Sequence, residues 1–168
     1  MRFRHRAVLS ALAIAAFIVA GSGFAGASTF LKEDIASLKK QSEAVVHAKV
    51  VDVRSYWDSD HAVIYTDVTL DIKGRLLGSS DNQMIVRVPG GTVGDFTVAM
   101  EGAPKFDLDD EVVAFIARWY DGAPMVAGYF QGLMKVEHDK LGNAFLHGGV
   151  ADGLAMSELA RQLRQSGR

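Results

Sequence analysis

Apolar and polar positions alternate along most of this chain, and the period of that alternation separates strand from helix. From Ile64 to Ile72 it is strict: Ile64, Thr66, Val68, Leu70 and Ile72 share one side, Tyr65, Asp67, Thr69 and Asp71 the other. A period of two predicts a half-buried strand. Met84, Val86 and Val88 against Gln83, Ile85 and Arg87 predict a second. Residues 44–53 are β-rich and apolar on both faces at their ends, the pattern of a largely buried or bulged strand. Residues 111–120 are apolar on both faces and are expected at the centre of a sheet. Shorter strands are expected over 92–100, 125–131, 133–137 and 144–147.

Turn chemistry punctuates these runs. Asp58-Ser59-Asp60-His61, Lys73-Gly74, Gly90-Gly91, Gly102-Ala103-Pro104, the acidic stretch 107–110 and Asp121-Gly122 all read as breaks or reversals. Pro89 has no backbone donor and should end its strand or sit on an edge. The helical period appears twice. Leu31, Ile35 and Leu38 form one stripe, with Thr29 as the expected N-cap and Lys39 and Lys40 in the last turn. Leu159 and Leu163 mark a short C-terminal helix with Ser157 as its expected cap. Few helices lie between strands, so a parallel βαβ sheet is disfavoured. The expected fold is mainly β, a small antiparallel barrel with a helix at each end.

Residues 1–27 change the accounting. Arg2, Arg4 and Arg6 precede a short apolar run over 7–20, and Ala25-Gly26-Ala27 has the small-x-small pattern cut by signal peptidases. The run is shorter than the roughly 20 residues of a membrane-spanning helix. The expectation is an exported protein, periplasmic or secreted, with no membrane span after cleavage before Ser28. Cleavage leaves 141 residues in one domain, 28–168, with 15 Lys and Arg facing 20 Asp and Glu, a net charge of −5 with His neutral. Such a balance without a basic run disfavours nucleic acid as a partner. The absence of cysteine rules out disulfides, thiol catalysis and Cys-ligated zinc.

The series Ile64-Tyr65-Thr66-x-Val68, Lys73-Gly74, Val86-x-Val88-Pro89-Gly90-Gly91, Gly102-x-Pro104-x-Phe106, Glu111-Val112-Val113-x-Phe115 and Gly128-x-x-Gln131-Gly132 resembles exported bacterial OB-fold proteins. These are similar to the NTR-like module of netrins and tissue inhibitors of metalloproteinases. The resemblance covers roughly residues 38–137 and implies an OB-like barrel. In the inhibitors a mature N-terminal cysteine engages the target zinc; this chain has no cysteine, so that chemistry carries over to no residue here. Asp109-Asp110-Glu111 stands where the group often shows Gly-Glu, which implies a different local turn.

Candidate chemistry is sparse. His47, His61, His138 and His147 form no H-x-x-x-H or H-E-x-x-H pattern. His138 and His147 could meet across the last hairpin beside Asp139. Asp58, Asp60 and His61, or Asp107, Asp109, Asp110 and Glu111, could bind a cation, but each group reads better as a solvated turn. No G-x-S-x-G occurs, and Gly90-Gly91-x-x-Gly94 lacks the lysine and helix of a phosphate loop. No catalytic residue, metal ligand or cofactor is therefore assigned. Trp57, Trp119 and Tyr120 are the candidate binding residues, against a bland role in packing. The expected function is a non-enzymatic exported binding module for a protein or envelope partner. The alternatives are an inhibitor or partner of a secreted metalloprotease, and a hydrolase with an unrecognised His and acid site.

Overall fold

Strands that are apolar on both faces need a core on each side, and that requirement organises the molecule. The computed structural model describes residues 31–165. Its order is α1 (Ile35–Gln41), β1 (Ala44–Trp57), β2 (Ile64–Leu77), β3 (Gln83–Pro89), β4 (Gly91–Val93), β5 (Phe96–Val98), β6 (Glu111–Arg118), β7 (Pro124–Val126), β8 (Leu133–His138), β9 (Ala144–His147) and α2 (Met156–Gln165). Short 3-10 turns at Tyr129–Gly132 and Gly149–Ala151 flank β8 and β9. The main sheet runs β3-β2-β1-β6-β8-β9, with β7 also on β6, and every ladder is antiparallel. The expected signal segment and Thr29 lie outside the described residues.

One face of the sheet buries Val46, Val50, Val68, Leu70, Val86 and Ile116 in an inner core. The other buries Val45, Val113, Phe115, Met134 and Leu146 beneath Leu38 of α1 and Leu159 and Leu163 of α2. Each fully buried large side chain contributes about 1.5–3 kcal/mol. Register shifts at Val45/Val46, His47/Ala48 and Val50/Asp52 bend β1, which pairs β2 along its length and β6 over its first half. Val88 of β3 and Val126 of β7 reach the same inner core. Among the described residues no ladder joins β3 to β7, so hydrogen bonds do not close the sheet into a barrel. An Arg87 Nη1–Asp121 Oδ2 pair at 2.7 Å spans the gap.

Several boundaries differ from the sequence expectation. The first helix begins at Ile35, because the Asp34 carboxylate caps the Ser37 N–H at 2.7 Å. Leu31 therefore leaves the stripe and stands exposed. Strand β2 runs through Lys73-Gly74 to Leu77, since the β1 ladder continues past this point, with Gly74 paired to His47, Arg75 to Val46 and Leu77 to Val45. Residues 92–100 form no single strand; Gly94-Asp95 reverses the chain between β4 and β5. Residues 125–131 split into β7 and a 3-10 turn, and Ser157 lies inside α2.

Candidate functional site

Gly90 and Gly91 turn the corner from β3 and set the β4–β5 hairpin against β1 and β2. A Cβ on Gly91, at φ +139°, would lie 2.3 Å from Thr66 Oγ1 and 2.4 Å from Ser55 Oγ. A side chain is excluded there because a hydroxyl relay fills the space. Thr92 N–H donates to Ser55 Oγ at 3.3 Å, Ser55 Oγ to Thr66 Oγ1 at 2.8 Å, and Thr66 Oγ1 to the Gly90 carbonyl at 2.7 Å. The relay satisfies Thr66, a buried polar residue of β2.

The hairpin carries an outward row of apolar side chains. Phe96, Val98 and Met100 are 65, 43 and 47% exposed, and everything from Asp95 to Glu101 is exposed. Trp57, at the end of β1, meets Phe96 edge-on at 5.8 Å and stacks on His61 at 6.2 Å. After Met100 the chain crosses the inner face as a strap over residues 101–107. Pro104 is buried, Ala103 and Phe106 pack on the inner core, and Phe130 N–H donates to the Gly102 carbonyl at 3.0 Å. Lys135 Nζ holds its far end through Asp107 at 2.8 Å and Asp110 at 2.7 Å. Those two carboxylates raise the Lys135 pKa, and the lysine holds Asp107 below its ordinary range.

A cleft lies on each side of the strap. One, about 370 Å³, is lined by Val53, Val88, Val98, Met100 and Phe106. The other, about 690 Å³, opens toward β8 and β9, with Phe130 and Leu133 beside Lys105, Lys135, Glu137 and His147. That size is within the range of ligand clefts.

The three candidate binding residues part company. Trp57 belongs with Phe96 on the hairpin side. Trp119 is half-buried in a crevice with Arg87, Pro89 and Pro104, and its Nε1 is buried without a hydrogen-bond partner among the described residues. Tyr120, 95% exposed, stands in the turn before β7.

The histidines also separate. His138 pairs with Ala144 and His147 with Lys135, which places the two on opposite faces of the β8–β9 hairpin. His147 Nε2 lies 3.4 Å from Glu137. His138 and His47 instead share Glu111, at 3.1 and 2.5 Å, on the helix-covered side of the sheet. Burial opposes ionisation of Glu111, but hydrogen bonds from both imidazoles outweigh it and hold its carboxyl below the ordinary value. The Glu111 hydrogen bond and charge raise His138. Asp109 pairs with Lys49 at 2.7 Å, so each acid of the 107–111 stretch has a cationic or imidazole partner. Asp58 accepts from the Ala62 and Val63 N–H groups at 2.7 and 3.1 Å. Among the described residues, no group of three or more His, Cys, Asp or Glu side chains is arranged to hold a metal ion.

Phe96, Val98 and Met100 are not among the residues singled out from the sequence, although their spacing of two is readable there. His47 and Glu111 also stay apart in the sequence, because their pairing depends on the β1–β6 register. No family model, curated protein or solved structure gives a significant match to the chain.

Proposed function

We propose that this chain is an exported, non-enzymatic binding module on an OB-like, NTR-like scaffold, and that it engages a protein partner through the Trp57 and β4–β5 face. The observation that carries this reading is the exposed row Phe96, Val98 and Met100 beside Trp57. Exposed apolar groups contiguous with a cleft and rimmed by polar residues mark interaction surfaces. The scaffold reading draws support from β1, which is shared between β2 and β6, and from β3 and β7, which face each other across a gap. A secreted protease is one such partner, engaged without any cysteine-borne zinc ligand.

A hydrolase is the second reading, favoured by the His147–Glu137 pair in the larger cleft. Cross-linked capture from the exported protein fraction, run beside a broad hydrolase screen, separates the two. The binding reading expects a partner retained by His147→Ala and lost on the double substitution Phe96→Ser, Met100→Ser, with circular dichroism unchanged. Turnover abolished by His147→Ala would overturn it.

A further inference from the structure

We infer that β5 accepts an extended strand of the partner along its outer edge, and that this strand carries apolar residues at every second position between two basic ends. The inference rests on the binding-module reading and adds to it the mode of docking and the chemistry of the docked segment.

Backbone geometry makes the edge available. In a hairpin with a two-residue loop, the residues flanking the loop exchange hydrogen bonds, and pairs alternate from there. Here the loop is Gly94-Asp95, and the pairs are Val93–Phe96, Thr92–Thr97 and Gly91–Val98. Phe96 and Val98 thus direct their N–H and C=O groups to β4, while Thr97 between them directs its own outward. Among the described residues no ladder or backbone hydrogen bond reaches this outer edge. Natural edge strands are commonly blunted by lysine or proline. Residues 92–103 contain neither.

Side chains supply the pattern. Phe96, Val98 and Met100 fall on one face at a spacing of two, and Val98 and Met100 open onto the cleft that holds Val53, itself 38% exposed. An added strand would lay its own alternate side chains along this lane, the usual arrangement of strand addition.

Charge chooses the occupant. Asp95 and Glu101 bracket the row, and neither has an ion-pair partner among the described residues. A second copy docked antiparallel about Val98 would bring Asp95 in the loop of each copy toward Glu101 in the turn of the other, like charge near like. A parallel, in-register copy would set like against like. Directly opposed like charges destabilise a ladder, so the chain is built against pairing with itself. A strand ending in Lys or Arg at both positions gains two attractive pairs, and an acidic domain steers such a partner toward it.

The test uses the protein with two blocked heptapeptides, Lys-Val-Thr-Val-Thr-Val-Lys and Glu-Val-Thr-Val-Thr-Val-Glu. Titration with amide hydrogen exchange should show the basic peptide slowing exchange at Thr97, and the acidic one binding about tenfold more weakly. Asp95→Lys with Glu101→Lys should invert that order. Thr97→Pro, which removes an outward donor and spares the Phe96 and Val98 bonds, should abolish binding while circular dichroism stays unchanged. Equal binding of both peptides, or protection confined to residues 133–137, overturns the inference. So does a dimer in sedimentation with Thr97 protected in the absence of peptide. A natural partner captured equally well by Thr97→Pro overturns strand addition alone and leaves the binding-module reading standing.

Discussion

Replacing Gly91 by alanine tests how the hairpin is hung on the sheet. Two costs combine. An L-residue at φ +139° carries backbone strain of about 1–2 kcal/mol. The new Cβ also meets Thr66 Oγ1 and Ser55 Oγ at 2.3 and 2.4 Å, so both hydroxyls must swing away. That breaks the Ser55–Thr66 and Thr66–Gly90 hydrogen bonds, each worth about 1 kcal/mol. The expected loss is about 3–4 kcal/mol in urea unfolding, read as a lower midpoint at constant slope. Gly94→Ala is the control, because Gly94 has φ +59° and nothing within 4 Å of its Cβ position. It should cost only about 1 kcal/mol. Adding Ser55→Gly, which removes one of the two obstructing hydroxyls, should recover part of the Gly91→Ala loss in a double-mutant cycle. If Gly91→Ala costs no more than Gly94→Ala, the close approach is not what demands glycine there, and the account of the corner fails.

Further outcomes follow from the ion pairs and the second core. The folded-state pKa of Glu111 is depressed, so its stabilisation is present above its ordinary 4.5 and fades as pH falls through the lowered value. His138 is raised, so its contribution is present below its ordinary 6.5 and fades as pH rises through the raised value. His138→Gln should therefore destabilise most between these two ordinary values and least at alkaline pH; parallel stability–pH curves for variant and parent would refute the pairing. Lys135→Ala should change stability by no more than about 1 kcal/mol, because the pair is half exposed, yet speed amide exchange over the strap at 101–107. Leu163→Ala, in the buried face of α2, should cost about 2–4 kcal/mol in thermal or urea unfolding.

Much of the strand pattern is legible in the order of residues. Ile64, Thr66, Val68, Leu70 and Ile72 are all inward, as strict alternation demands, and the stretch 111–120 read as apolar on both faces contains a strand with a core on each face, which ends at Arg118, two residues short of that reading. The leucines at 159 and 163 are buried together, as their spacing of four requires. Helix and strand ends are less legible. The cap at Asp34 is a local hydrogen bond that competes in the sequence with Thr29 as an equally good cap residue, while the continuation of β2 past Gly74 depends on a cross-strand neighbour that leaves no mark in its own segment.

Sequence alone determined which residues share a face, where most of the chain's reversals fall, and which chemistries lack the residues to occur, since period and composition are local properties of the chain. Only tertiary structure decided the groupings. It set His47 and His138 on one carboxylate, put His147 on the opposite face, sent Trp57 to Phe96 and Trp119 into a separate crevice, and left Phe96, Val98 and Met100 in solvent. A spacing of two establishes that side chains share a face. Whether that face meets a core or water depends on what the rest of the chain lays against it.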